Sequence, residues 1–572
     1  MRALILGPDV KTFPAEDTNG FDPELVYLTN PLYQKRFAAP WGAGTRIVCD
    51  DDISSDERVF AELNETAKRW ARQWFNEPAI VAPLTYEGVN LGSLYVHPLS
   101  YFFAGVLKDI YLKDSLVTKF GVTELREQRS SAQGKISRPG GPQPVVKTLL
   151  KAVNRLGLRS IPTGGIVYSC SLRHAMPLLY RGCRNYYLRE NFSLKGYFDG
   201  IFHSFTHILP EYYAASPVDE SLTKKVFEMI DRHFMASNWF DLNGRDLWKD
   251  FIRPRFEKMI FCEFPRSRML MDRLRSFFDL AKPRAVVVDE DVVHFNKTLI
   301  LCANQKNIRT YTLMHGAPFE NVAFMPSSAK TVLAWGLSTQ ARLVEWGMSA
   351  ETIRPVGAPQ YESLEKPKGR SALVKVRRDL GITEGRILFL SMLNLYTNEM
   401  PGFKFTRDSH YETIFRQTIM IATGALMRLP DTALIIKLHP GEKHAWYAME
   451  LLTRISDPVI RNRVRVIQDY STPELLSACS LALTTPSTVY FEALLLKRPV
   501  LVFDRAEERI CSFMREDFLN VDAPDDCIRK ITEFIEEQHA VEFLKKQEAE
   551  AKRHFVNGNT GAVERALIEL ER

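Results

Sequence analysis

What the 572-residue chain lacks narrows it first. No window approaches the roughly 18 apolar residues that a spanning helix needs, so any membrane contact is expected to be peripheral, at the inner face of the cytoplasmic membrane. The eight cysteines, Cys49, Cys170, Cys183, Cys262, Cys302, Cys479, Cys511 and Cys527, contain no CxxC pair and no metal-ligand spacing, and read as reduced thiols of a cytosolic protein. A strong charge of one sign is also missing: 75 basic against 69 acidic residues leave +6. That field suits phosphorylated ligands and is too weak to argue for nucleic acid. The opening MRALILGPD has an apolar run that stops at Gly7-Pro8-Asp9, too short for a signal-peptide core and expected as a first strand. No short-period repeat is visible.

What is present is a globular composition, 45% hydrophobic and 25% charged, in a chain longer than one core usually serves. Short β-branched runs at 2–6, 25–28, 46–49 and 79–82 suggest a parallel sheet with crossover helices. Residues 127–147, rich in Ser, Gly, Pro and Gln, read as a flexible loop. Between 167 and 278 aromatics and arginines dominate, and that stretch is expected to be mostly helical. Two strands then follow, 284–288 ending in Asp289-Glu290-Asp291 and 309–313 ending in His315-Gly316. Beyond a linker near 357–372, strands and helices alternate regularly from 384 to 504, and Ser471-Thr-Pro-Glu474 reads as a capping box. The expected fold is α/β with two Rossmann-like doubly wound lobes facing a central cleft. Residues 1–360 form an acceptor-side lobe with a helical insertion, 361–540 a nucleotide-binding lobe, and 541–572 helices that cross back.

In the second lobe Lys437-Leu-His439-Pro440 closes one strand and Thr484-Thr-Pro-Ser487-Thr488 closes another, with Glu492 about one turn into the following helix. Hydroxyls at a helix N-terminus lie beside unpaired N–H groups and suit phosphate. Glu492 suits a ribose diol, His439 a diphosphate, and Pro440 fixes the loop that presents it. The acids Asp289, Glu290 and Asp291 are candidate general bases, because neighbouring carboxylates raise one another's pKa. His315 is the other candidate, with an ordinary pKa already suited to the task. Asp289-x-Asp291 also matches the way some transferases hold a divalent ion against a diphosphate. The run 181–189 reads as a solvated helix face or as a surface for an anionic glycan.

KLHP followed by TTPSTVYFEALLLKRPVLVFD resembles the His-Pro and Ser-Ser/Thr motifs of GT-B glycosyltransferases that use cytidine-activated donors: bacterial sialyltransferases, polysialyltransferase-like capsule enzymes and Kdo transferases. MHGAPFE and WGLSTQARLVEWGMSAETIRPVGAPQY are similar to stretches of CDP-glycerol glycerophosphotransferases. The resemblance covers roughly 284–505. It implies a donor held mainly by the second lobe, through His439, Pro440, Ser487, Thr488 and Glu492, with Lys437 and Gly316 beside them, and neither metal nor cofactor. In the sialyltransferase pattern two acids precede a glycine; here Val292 follows Asp291. The implied reaction transfers a sugar or polyol phosphate from a CMP- or CDP-linked donor to a capsule or lipopolysaccharide-type glycan or glycolipid. A non-hydrolysing nucleotide-sugar epimerase and a non-catalytic subunit of an export assembly are the alternatives.

Overall fold

The computed structural model of the chain describes residues 1–6, 23–28, 45–48, 57–128, 163–179, 181, 185–189, 205–210, 213, 215–217, 219–318, 324–362, 364, 369–392, 408–440, 442, 445–453, 455, 457–505, 518–536 and 540–572. Their long strands assemble into three parallel sheets. The first holds β1 (Arg2–Leu6), β2 (Leu25–Leu28), β3 (Arg46–Val48) and β4 (Glu124–Gln128) in the order β3-β2-β1-β4. Ala3 lies opposite both Leu25 and Leu125. Between β3 and β4 run α1 (Glu57–Gln73) and α2 (Val96–Phe120). Gly121 ends α2 at φ 65°, where its N–H reaches the Val117 carbonyl, a left-handed stop that glycine adopts at little cost.

These two helices serve two cores. Phe60, Leu112 and Leu116 cover Ile5 and Tyr27 of the first sheet. Trp70, Trp74, Leu99 and Phe103 join the larger core beneath the central sheet, with Val286, Val288 and Leu299. That sheet consists of β5 (Ile166–Ser169), β6 (Asn185–Leu188), β7 (Phe205–Ile208), β8 (Ala285–Val288), β9 (Arg309–Leu313), β10 (Thr331–Ala334) and β11 (Ile353–Pro355). Its order is β11-β10-β9-β8-β5-β6-β7. β5 to β7 build outward, then β8 returns to the other side of β5, so the strand order reverses between β5 and β8. α3 (Leu172–Leu179) follows β5, and α4 (His294–Gln305) follows β8.

The third sheet holds β12 (Arg386–Ser391), β13 (Thr432–Lys437), β14 (Val464–Ile467), β15 (Leu481–Thr484), β16 (Val500–Asp504) and β17 (Phe518–Asn520), ordered β14-β13-β12-β15-β16-β17. Here the reversal falls between β12 and β15. α5 (Val489–Leu495) follows β15, and the chain closes with α6 (Ala540–His554) and α7 (Ala562–Glu571). β5, β8, β13 and β15 are buried along their length, as a parallel sheet covered on both faces requires.

The central and third sheets share one apolar cluster, in which Met314 and Trp335 meet Phe389, Ile435, Phe491 and Phe555. α7 packs on the central sheet: Val563, Ala566 and Leu570 lie against Ile166, Tyr168 and Leu313. The Tyr311 hydroxyl donates to the Glu569 carbonyl at 2.9 Å. Among the described residues no helix is long and apolar enough to cross a membrane.

The α/β class with doubly wound sheets agrees with the sequence reading, and several local expectations do not. Residues 79–82 belong to a helix, Pro78–Leu84, because Pro78 starts a turn with its ring already at a helical φ and Ile80 and Leu84 face the core. Within the stretch from 167 to 278, α3 is the one helix before Glu220 among the described residues, and the longer helices begin there. Before Glu220 the stretch supplies three central strands, whose aromatic residues pack well on a pleated surface. Tyr186 and Tyr187 are therefore core residues of β6, so 185–188 is neither a solvated helix face nor a platform for sugar rings. Ser471 starts its helix without a side-chain cap bond, and Glu474 pairs instead with Lys375 at 2.6 Å. The loop expected at 127–147 falls outside the described residues from 129 onward.

Candidate functional site: two facing strand-end clusters

In open parallel sheets the crevice for ligands lies beyond the C-terminal strand ends where the strand order reverses. Beyond β8 the three consecutive acids are placed in different surroundings. Asp291, 1% exposed, is a latch: its Oδ2 accepts from Ser327 Oγ, Ser328 N and Ala329 N at 2.8, 2.6 and 2.9 Å. Asp289 reaches across the reversal to the end of β5, where its Oδ2 accepts from Ser171 N at 2.7 Å and meets His174 Nδ1 at 2.9 Å. Burial acts to raise the Asp289 pKa. The His174 and Ser171 bonds, with the histidine charges, outweigh it, and the net shift is downward.

Glu290 shifts the opposite way. Burial raises its pKa above the usual carboxylate value, Asp289 and Asp291 add to the rise, and His315 opposes it. Its carbonyl accepts from Asn296 Nδ2 at 2.8 Å, and Asn296 Oδ1 in turn accepts from Ser169 Oγ at 2.7 Å. His315, beyond the neighbouring β9, has Nδ1 2.8 Å from the Asp289 carbonyl. A carbonyl only accepts, so Nδ1 carries the proton and Nε2 is the basic nitrogen. Phe324 stacks on the ring at 5.4 Å, which holds its plane. The His174 and His315 rings lie 6.3 Å apart. An ionised Asp289 likewise assigns the proton of His174 to Nδ1, a nitrogen that also lies 2.7 Å from Ser171 Oγ.

The second cluster sits at the reversal of the third sheet. Ser487 Oγ accepts from Val489 N at 3.2 Å and is 2.9 Å from Thr484 Oγ1. Thr488 occupies the N-cap position with no side-chain cap bond, so Ser487 supplies the capping oxygen. Lys437, at the end of β13, is buried. Burial lowers its pKa, while the charges of Glu492 and Asp469 act to raise it. Glu492 is 3% exposed, inside α5 rather than on its surface. His439 and Pro440 are exposed, and the Gln468 amide donates to both their carbonyls, at 3.0 and 3.1 Å. Desolvation, then the charge of Lys437, lowers the His439 pKa, so at neutral pH its ring is neutral with a single N–H to offer.

The clusters meet. A Cβ added to Gly316 would stand 3.9 Å from Thr488 Cγ2, an ordinary van der Waals contact between the loop that carries His315 and the loop that carries Ser487. Asp289, Glu290, His315 and Gly316 thus belong to one wall, and Lys437, His439, Pro440, Ser487, Thr488 and Glu492 to the other. Asp291 faces away into its latch.

The sequence reading missed Ser171 and His174, because Ser-x-x-His at a strand end has no signal until β5 is known to lie beside β8. In the Asp289-x-Asp291 pair each Oδ2 accepts from N–H or O–H donors. Among the described residues no group of three or more His, Cys, Asp or Glu side chains is placed to hold a metal ion.

No curated protein matches the chain. Similar solved structures include HepE from Anabaena in complex with UDP and glucose, at 14% identity over 71% of this chain and 99% of that one, TM-score 0.44. UDP-GlcNAc 2-epimerase from Neisseria meningitidis, bound to UDP-GlcNAc, is similar at 11% identity over 72% and 99%, TM-score 0.41. The Methanocaldococcus jannaschii UDP-GlcNAc 2-epimerase is similar at 15% identity over 72% and 99%, TM-score 0.40. Residues 403–508, which carry the whole second cluster from Lys437 to Glu492, match the family model of the capsule polysaccharide biosynthesis proteins.

Proposed function

We propose that this chain is a metal-independent glycosyltransferase of the GT-B type. It takes a sugar or polyol phosphate from a nucleotide-activated donor, CMP- or CDP-linked, and passes it to a capsule or lipopolysaccharide-type glycan or glycolipid. The observation that supports the reading most is the approach of the Gly316 and Thr488 loops, where a Cβ added to Gly316 would stand 3.9 Å from Thr488 Cγ2. The match of residues 403–508 to a capsule-biosynthesis family supports the same reading.

In this proposal Ser487, Thr488, Lys437 and His439 hold the donor's phosphate, Pro440 presents His439, and Glu492 keeps Lys437 charged and takes the ribose. Glu290 or His315 Nε2 removes the proton from the acceptor hydroxyl. The acceptor oxygen bonds to the anomeric carbon, or to phosphorus for a polyol phosphate. The bond from that centre to the leaving nucleotide's oxygen breaks, and the electron pair goes to a phosphate already facing N–H and O–H donors. His174, held by Asp289, is a positioning residue beside them. No cofactor enters.

The test is a thermal-shift panel of CMP, CDP, UDP and GDP, followed by nucleotide release from the matching donor with and without acceptor. A ligand at 100 times its Kd adds about 2.7 kcal/mol of stability. A cytidine nucleotide should stabilise the protein, and release should require acceptor. Interconversion of the donor's sugar without acceptor and without net nucleotide release would replace this reading with the epimerase.

A further inference from the structure

Apart from the two clusters, a cationic pocket opens at the same C-terminal edge of the central sheet. Its lining includes Lys68 and Arg72 from the end of α1, His97 and Ser100 from the start of α2, Lys297 from the first turn of α4, and Met325. The pocket encloses about 10 Å³, room for one oxygen-sized atom, and is open at its mouth. Val292, the residue after the three acids, forms part of its wall.

Lys297 is 4% exposed, yet its ammonium makes no hydrogen bond or ion pair among the described residues, and neither does the guanidinium of Arg72. A buried ammonium without partners is costly to maintain. Burial pushes Lys297 down to about 8, with Asp291 resisting and Arg72 adding to the drop. Asp291 is near enough to resist that drop but forms no hydrogen bond or ion pair with Lys297; its Oδ2 accepts from Ser327, Ser328 and Ala329. Lys68 pairs with Glu65 at 2.6 Å, but that carboxylate is mostly exposed and the pair is weak in water. Two cations therefore line a small void, and among the described residues neither is held in an ion pair.

The geometry points to a binding pocket for a single oxyanion, a phosphate or carboxylate group, held by Lys297 and Arg72 with Lys68 at its mouth. One anion oxygen fills the floor, and the remainder of the molecule extends outward. The pocket adjoins the loop of Asp289–Asp291 through Val292. It therefore suits the charged group of an acceptor, an acidic sugar or a phosphorylated carrier, whose hydroxyl is presented to the bases. Assigning the anion to the acceptor rests on the transferase reading; anion binding itself does not.

The test uses calorimetric titration of the full chain with inorganic phosphate and, separately, glucuronate, which distinguish a phosphoryl from a carboxylate source. Saturable binding of at least one is expected. Arg72→Gln and Lys297→Met should each weaken it about tenfold or more, the loss expected for a charged hydrogen bond. The component lost in the Arg72 and Lys297 variants should persist when His439→Ala is combined with Ser487→Ala. Binding that survives both pocket substitutions, that disappears only in the donor-site variant, or that is absent for both anions overturns the proposal. Arg72 is half-buried and its substitution is not expected to unfold the chain, so it alone decides if Lys297→Met fails to fold. Cytidine nucleotide binding, measured on the same variants, separates failure of this pocket from failure of the transferase reading.

Discussion

Asp289, Glu290 and Asp291 are adjacent in sequence and differ in chemistry because β8 ends between two neighbouring strands and a returning loop. Asp291 holds that loop by three hydrogen bonds, so Asp291→Ala strands buried donors and should lower stability by about 3 kcal/mol or more in chemical denaturation. Glu290 carries no such duty. Glu290→Gln should leave the denaturation midpoint unchanged or slightly higher, while turnover falls about 100-fold or more if it is the base. Its raised pKa means that activity climbs with pH through a value above the ordinary carboxylate range. If His315 is the base instead, His315→Ala carries the loss.

Asp289 has the opposite sign. Its folded pKa lies below the unfolded one, so the stability it contributes is complete above about pH 4 and is lost as pH falls through the lowered value. Asp289→Asn should flatten that acid limb in a stability-against-pH series. An unchanged limb would show that the His174 and Ser171 bonds are not formed in solution. The sequence could nominate all three acids, and the spacing could not separate them. Separating them needs the lateral neighbours, Ser171 and His174 on β5 and Ser327 to Ala329 on the latch, which come from distant parts of the chain.

Elements read best where period and length were plain. The third sheet's β12 to β16 and their helices follow a regular alternation and match closely, because continuous apolar runs of four to six residues flanked by turns leave little choice. The strands Ile166–Ser169, Asn185–Leu188 and Phe205–Ile208 depart from the helical expectation, since they are four residues long and carry Tyr, Asn and His, which suit a buried parallel strand only once helices cover both faces. α7 shows how a terminal helix can be tied down. Leu570 is fully buried against the central sheet, and Leu570→Ala should cost about 2–5 kcal/mol, measured by denaturation of the full chain. Gly336 is extended, at φ −174°, so strain is not its constraint. A Cβ there would stand 2.4 Å from the His554 carbonyl oxygen, and Gly336→Ala should therefore push α6 away and lower the melting temperature.

At the scale of the whole molecule, two sheets reverse their strand order, and the loop of Gly316 beyond one comes close to the loop of Thr488 beyond the other. The sequence contained both halves as motifs. It did not show that residues 1–360 carry two sheets, or that α1 and α2 bridge them, because short strands separated by polar segments look alike whichever sheet they join. The division of labour between the walls is the central claim, and nucleotide calorimetry on two variants tests it most directly. Glu290→Gln should bind the cytidine nucleotide as the parent does. His439→Ala with Ser487→Ala should lose at least about tenfold in affinity while keeping the parent's melting temperature without ligand. Equal nucleotide affinity in the parent and in a folded His439 and Ser487 double variant would contradict the account.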